Sequence, residues 1–423
     1  MKRTHLSRRL TALAAVGALV LASACGGRDD GGGGGDGDVT TGPGFDGETI
    51  KLGVLTPSSG TVSVIGIPVT IGNQVYFDKL NAEGGVAGKY KVELVVRDTK
   101  YEAPTASQEY QATKSDVAMY LQILGTQVVS SLLPDLEGDN IIASPASLDS
   151  FWVREPNLLP WGGPYQIQVI NGISWYMTEG GGEGSQLCSL VQDDAYGATG
   201  QQGVDHVASE LDLDTGVKVD FSVGTPDFTT HINQLQSGGC ETVLMTATPA
   251  DAAGAIGKAA QAGFTPKWLV QSPGWLKALF SGDLRPYAES NVLILAEGGA
   301  WDASASTGMA DLLDALETYA PEATPDWYMT VGWTQAMAVH QVLEAAVENG
   351  DLSRDGLMEA MNSLDVITAD GLFGDYNWGD AETRNPPRSS TIYGVDIEGS
   401  PIGLVPLVQD YTSAAAESYS FEE

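Results

Sequence analysis

The chain has 423 residues, 43% of them hydrophobic, enough to build two or three ordinary domains with buried cores. Lys and Arg number 21 against 55 Asp and Glu, a formal charge of −34 that would repel nucleic-acid phosphates and anionic lipid headgroups. Enzymatic signatures are missing as well: His5, His206, His231 and His340 stand isolated, and no H-E-x-x-H, G-x-S-x-G or phosphate-loop motif occurs.

The chain opens on Lys2, Arg3, Arg8 and Arg9, followed by an apolar run from Leu10 to Leu21 and the small residues Ala22, Ser23 and Ala24 ahead of Cys25. This is the pattern of a secretory signal peptide, too short for a permanent membrane span. The stretch "LASAC" resembles a bacterial lipoprotein signal, which implies cleavage before Cys25 and a diacylglycerol thioether on its sulfur. One departure is Ala22, where an aliphatic residue is commoner. Removing residues 1–24 takes away four basic residues, leaving 17 basic against 55 acidic, a net charge of −38. Residues 25–47 are rich in Gly and Asp, with Gly31 to Gly35 consecutive, and are expected to form a disordered tether. Gly26 to Gly47 would reach roughly 25 Å root-mean-square.

From Glu48 onward strands and helices alternate. "TIKLGVL" (49–55) predicts a strand, followed by the turn-like "TPSSG" and a helix with Ile67, Ile71 and Val75 at four-residue spacing. "KVELVV" (91–96), "MYLQILG" (119–125) and "NIIASPAS" (140–147) predict further strands, with a helix over 105–115. After the Pro- and Gly-rich stretch 155–166 the rhythm restarts with a helix over 167–177. Strands follow at 185–191, 217–223, 241–248, 267–274 and 291–299. Helices are expected over 311–319 and 330–348, and one or two strands within 384–408. The fold class is therefore α/β, with two doubly wound parallel-sheet lobes around a ligand cleft at the carboxyl ends of the strands. The expected division is lobe 1 at 48–164 plus about 298–372, lobe 2 at 165–297 plus about 373–411, and a frayed tail at 412–423.

Three cysteines are present. With Cys25 lipidated, Cys188 and Cys240 form either a disulfide in an oxidising compartment or two buried thiols.

The segments "IKLGVLTPSSG", "NAEGGVAGKYKVELVVRDTK", "LGTQVVSSLLPDLEGDNIIASPAS", "DDAYGATG" and "FGDYNW" together resemble solute-binding proteins of ABC importers, of the branched-chain amino-acid-binding type. The resemblance covers roughly residues 48–411. It implies two lobes joined by three crossovers that close on a small solute, a membrane permease as partner, and a type I periplasmic-binding-protein-like fold. A monomer is expected on the outer face of the cell membrane, touching the membrane only through its lipid, with no nucleic-acid partner and no cofactor or metal.

Candidate ligand-binding residues are the short polar and aromatic side chains at predicted strand ends. In lobe 1 these are Thr56, Ser59, Thr126, Gln127, Ala146 and Ser147, and in lobe 2 Asp194, Tyr196, Thr248, Gln271 and Trp275. By resemblance, Tyr196 of "DDAYG" packs against the solute, the Ser147 turn meets a carboxylate or carbonyl, and Trp327 and Tyr328 bring an aromatic wall. Plainer readings stand beside these: 56–60 as a turn, Asp193 or Asp194 as a helix cap, and Trp161 as packing. Two departures bear on an amino-acid solute. Val128 and Val129 stand where a hydroxyl is common, and Gln271 and Ser272 where an acidic partner for an ammonium is common. Amides, urea-like compounds and aromatic solutes are therefore alternatives, and a sensor subunit of the same fold is the rival to a carrier. Asp193 and Asp194 alone fall short of a calcium site.

Overall fold

The computed structural model describes residues 39–421. The leader, Cys25 and the glycine run lie outside the described residues, so the anchor expectation does too. The strands are β1 (Thr49–Thr56), β2 (Lys91–Asp98), β3 (Met119–Ile123), β4 (Ala143–Pro145), β5 (Leu187–Gln192), β6 (Thr215–Phe221) and β7 (Thr242–Thr246). They continue as β8 (Lys267–Gln271), β9 (Val292–Ala296), β10 (Val366–Ile367), β11 (Tyr376–Asn377), β12 (Ser390–Val395) and β13 (Leu404–Tyr411).

A four-stranded sheet has the order β2-β1-β3-β4, all parallel. A seven-stranded sheet has the order β13-β12-β9-β8-β7-β5-β6. In it β5 to β9 are parallel, whereas β12 runs antiparallel to both β9 and β13. The second sheet is thus mixed rather than purely parallel. β12 and β13 are joined by a short turn, which can connect only antiparallel neighbours. Strands β3, β5, β7 and β9 are buried at every residue. Their unbroken apolar sequences follow from helices covering both faces. β6 lies at an edge and accommodates exposed Thr215, Lys218 and Asp220.

The chain passes between the sheets three times: between β4 and the helix Tyr165–Thr178, between β9 and the helix Thr307–Tyr319, and between the helix Arg354–Ser363 and β12. The middle excursion brings the helix Trp327–Glu348 onto the helix Ser63–Glu83 of the smaller sheet. Their backbones touch. A Cβ on Gly72 would fall 2.2 Å from the Met329 carbonyl oxygen, and one on Gly332 would fall 1.9 Å from that of Val69. Beside this crossing the Asn73 amide donates to Gln122 at 2.6 Å, and Gln335 Nε2 donates to the Ser144 carbonyl at 3.1 Å.

Cys188 in β5 and Cys240 ahead of β7 are disulfide-bonded across a sequence separation of 52. Of the two states left open by the sequence, the bonded one is adopted. Closing a loop of that length removes about 4 kcal/mol of unfolded-chain entropy in the loop-closure account. The expected frayed tail is instead ordered through Phe421. Ser413 donates its N–H and hydroxyl to Asn171 Oδ1 at 2.8 and 3.0 Å, and the helix Ala414–Ser418 buries Ala415 and Ala416. Small alanines let this short helix lie close against Tyr165–Thr178.

The Gly332 contact predicts the cost of one methyl group. Gly332→Ala forces the two helices apart, and denaturant unfolding should show a loss of about 1–3 kcal/mol. An unchanged midpoint would mean that the crossing is not tightly packed.

Candidate functional site

A cavity with about 560 Å³ of empty space lies between the carboxyl ends of the two sheets' parallel strands. Its walls are built largely from helix starts. The helices Thr126–Gly138, Tyr165–Thr178, Ala195–Leu211, Pro249–Ala262 and Trp327–Glu348 begin at or beside the lining residues Thr126, Tyr165, Tyr196, Thr248 and Trp327. Aligned peptide dipoles make such ends partially positive. The remaining wall is aliphatic, with Ile65 and Val69 from the first helix, Leu124 after β3, Leu148, and Val331. No Lys, Arg, Asp or Glu side chain lines it.

The aromatic residues are held in specific ways. Tyr101 has a left-handed backbone, φ 64°, and its ring lies over Gly125, where a Cβ would approach within 2.6 Å. Gly125 itself has φ 109°. Tyr165 and Tyr196 meet edge to face with centroids 5.4 Å apart. The Tyr328 hydroxyl donates across the cleft to the Pro273 carbonyl at 2.8 Å, linking the helix that packs on the smaller sheet to the loop after β8. Tyr196 is 4% exposed, and its hydroxyl has no partner. Burial raises the acid constants of Tyr101, Tyr165, Tyr196 and Tyr328, so all four are neutral phenols near neutral pH.

Three buried carboxyl groups surround the cavity without lining it. Asp149 accepts the Thr126 hydroxyl, and burial pushes it up to about 7. Asp326 caps the helix at Trp327 by accepting the Tyr328 N–H at 2.9 Å, and burial pushes it to about 7. Glu297 sits at the second crossover and accepts the Gly163 N–H of the first crossover at 2.6 Å. Burial pushes it up to about 8. Among the described residues no group of His, Cys, Asp and Glu could hold a metal ion, and no helix is long and apolar enough to cross a membrane.

Of the residues expected from sequence, Thr126, Ala146, Ser147, Tyr196, Thr248 and Tyr328 line this cavity. Six others do not. Thr56 is buried between Gln122 and the Gly66 carbonyl, tying β1 to the following helix. Ser59 is exposed and donates to Asp98 at 2.6 Å. Gln127 is exposed, since the second residue of a helix turns away from the face bearing the first. Asp194 caps its helix by accepting the Gly197 N–H at 3.0 Å. Gln271 is fully buried behind the wall. Trp275 stacks on Phe280 at 4.8 Å and donates to the Ile402 carbonyl. Trp161 is packing, its indole bonded to the Pro145 carbonyl at 2.8 Å. Sequence reasoning missed Tyr101 and Tyr165. Both directly follow a predicted strand or the inter-lobe Pro–Gly stretch, which was the available signal.

Residues 49–400 match the sequence model of a family described as periplasmic binding protein, and the chain belongs to this family. It is a family of binding proteins, not enzymes, and it places the chain outside the cytoplasm. Among curated proteins, the Leu/Ile/Val-binding protein homolog 7 of Brucella suis biovar 1 (strain 1330) is 23% identical over 237 residues. That of Brucella abortus (strain 2308) is 21% identical over 235 residues. Each match covers 53% of this chain and only 59% of the relative. Among solved structures, a fatty acid ABC transporter substrate-binding protein from Thermomonospora curvata is 27% identical, with a TM-score of 0.83 over 90% of this chain and 97% of that one. A branched chain amino acid ABC transporter from Thermus thermophilus with bound valine is 17% identical and shares the fold, with a TM-score of 0.75 over 88% and 98% of the two chains.

The buried Glu297 predicts an inverted pH dependence of stability. Its folded value of about 8 exceeds the ordinary 4.5, so the folded chain keeps a proton that the unfolded chain has lost. The corresponding stability is complete below about pH 4.5 and is lost as pH rises toward about 8. Urea unfolding should find Glu297→Gln close to wild type near about pH 5 and more stable near about pH 9, by an amount on the order of 1 kcal/mol or more. Equal stability at the higher pH would remove the buried charge from the account.

Proposed function

We propose that the protein is the extracytoplasmic solute-binding subunit of an ABC importer. It captures one small solute by closure of two lobes and delivers it to a membrane permease. The solute has an apolar body and a single carboxylate or carbonyl end. The observation that carries this reading is a cavity walled by tyrosine, tryptophan and aliphatic side chains, without a charged side chain, at which five helix N-termini converge. Such a wall suits an alkyl or aromatic body. The helix ends and the unpartnered Tyr196 hydroxyl suit an anionic oxygen without requiring a cation. A fatty-acid-like solute fits, and the likeness to the Thermomonospora curvata protein supports it.

Branched-chain amino acids are the second reading, supported by the names of the Brucella relatives. An ammonium in this cavity would find no carboxylate on the wall, and burying it unpaired would be costly. Delivery outside the cell as a lipid-anchored monomer rests on the leader pattern and Cys25. The lobes are taken as 48–164 with about 298–372, and 165–297 with about 373–411. A sensor of the same fold would bind by the same physics and would differ only in its membrane partner.

A thermal-shift screen of alkanoates, aromatic acids, amides, ureas and amino acids tests the solute class. A true ligand at 100 times its dissociation constant adds about 2.7 kcal/mol of stability. Alkanoates or aromatic acids should raise the melting temperature and leucine should not; the opposite order rejects the apolar-carboxylate reading. Tyr196→Phe should weaken the best ligand by about tenfold, the worth of one hydrogen bond of about 1.5 kcal/mol. Mass spectrometry of the mature protein should find Cys25 at its amino terminus carrying lipid.

A further inference from the structure

Asp149 lies one hydroxyl behind the cavity wall. It is 1% exposed, and Thr126 Oγ1, on the wall, is 3.1 and 2.9 Å from its two carboxyl oxygens. The Ser147 side chain, also on the wall, and Trp152 complete its surroundings, the indole donating to Ser147 Oγ at 3.2 Å. None of its hydrogen-bond partners is a cation, and it forms no ion pair among the described residues.

A hydroxyl has one proton to give. While Asp149 is ionised, the Thr126 proton is committed to it, and the Thr126 oxygen faces the cavity as an acceptor. A ligand carboxylate placed there meets lone pairs and, just behind them, a second negative charge in a dry site. Two carboxylates so close do not both stay ionised. Protonating Asp149 removes the charge and frees the Thr126 hydroxyl to turn and donate to the ligand.

Resting on the carboxylate reading above, we infer that Asp149 is a positioning residue that takes up one proton from solvent when an apolar carboxylate enters the cavity. The proton goes to an Asp149 carboxyl oxygen, and the Thr126 hydroxyl proton swings from Asp149 to the ligand carboxylate. No covalent bond other than that O–H changes. Burial already pushes Asp149 up to about 7, so the proton is within reach near neutral pH. The titratable groups facing Asp149 are Tyr101 after β2 and Tyr165 and Tyr196 at two helix starts, all kept neutral by burial, with Asp194 beyond Tyr101. Glu297 and Asp326 are the other raised carboxyl groups near the cleft, so a specific control is required.

The sign follows from the linkage: a ligand that raises the Asp149 value binds less tightly as pH rises above about 7. Titration calorimetry with octanoate, in two buffers of different ionisation enthalpy, should show uptake of about one proton at about pH 8. Affinity should fall by up to about tenfold per pH unit above about 7 and stay flat below about 6. Octanamide, the uncharged counterpart, should bind without proton uptake. Asp149→Asn, which mimics the neutral acid, should bind octanoate without uptake and without a pH profile, and should exceed wild type above about pH 8.

Octanoate binding to wild type without proton uptake overturns the coupling and leaves the carrier reading intact, and this measurement needs no variant to fold. An Asn variant that keeps the wild-type profile transfers the proton to Glu297 or Asp326 and equally overturns it. Failure of octanoate to bind either protein at about pH 6 overturns the carboxylate reading, and the coupling with it.

Discussion

The contact on which the rest of the molecule depends is the meeting of two helix backbones at Gly72 and Gly332. The first glycine belongs to the helix after β1 and the second to a helix more than 250 residues later, reached only after the chain has built most of the larger sheet. A side chain at either position would hold the helices apart. Their close approach aligns Asn73, Gln122, Gln335 and Ser144 into a buried chain of amide and hydroxyl hydrogen bonds. It also sets Val69 and Val331 side by side in the cavity and carries Trp327 and Tyr328 to its rim. A long loop closure is thereby converted into a wall of the site, and the entropy of that closure is offset by apolar burial along the whole helix pair.

The same architecture accounts for the electrostatics of the cavity. Parallel strands connected by helices place strand carboxyl ends and helix amino ends on one rim. Two sheets facing each other therefore surround one volume with partial positive charge while supplying no cationic side chain. In a chain of net charge −34 this is a means of attracting a lone carboxylate without an exposed basic patch. The buried acids Asp149, Asp326 and Glu297 sit at the margins of that volume. Each is poorly solvated, and each is tied to a hydroxyl or backbone N–H that belongs to the wall, a cap or a crossover.

The alternation of strand and helix was legible because the strands are buried on both faces and read as short apolar runs between helical repeats. The mixed end of the larger sheet was less so: β12 and β13 have partly exposed residues, and nothing local in "STIYGV" specifies the direction of its neighbour. In the site, the residues read correctly into the wall are those immediately following a strand at a helix start, where topology alone dictates position. Gln271 and Trp275 follow β8 just as closely and yet turn inward to packing. The difference lies in Ser272–Gly274, a tight 3-10 turn that shifts the register of what comes next. Tyr101 escaped because its direction depends on a left-handed turn that no residue type in "DTKY" announces. Its place is cleared by Gly125, 24 positions away in the chain.

Under the proposed reading, opening the cleft breaks the Tyr328–Pro273 hydrogen bond, the direct tie from a cavity tyrosine to the opposite lobe. One such bond contributes about 1 kcal/mol net, because water replaces either partner on opening. It is too weak to hold the cleft shut alone, and the solute must supply the rest by binding the closed form more tightly. The crossovers are built differently. There Gly163 donates to Glu297, and Tyr393 donates to the carbonyls of Glu297 and Gly299, all deeply buried. These bonds do not span the cavity, so they survive a change of lobe angle. A weak tie at the mouth and a dry, firmly bonded hinge let a few contacts with one small solute decide which state is populated.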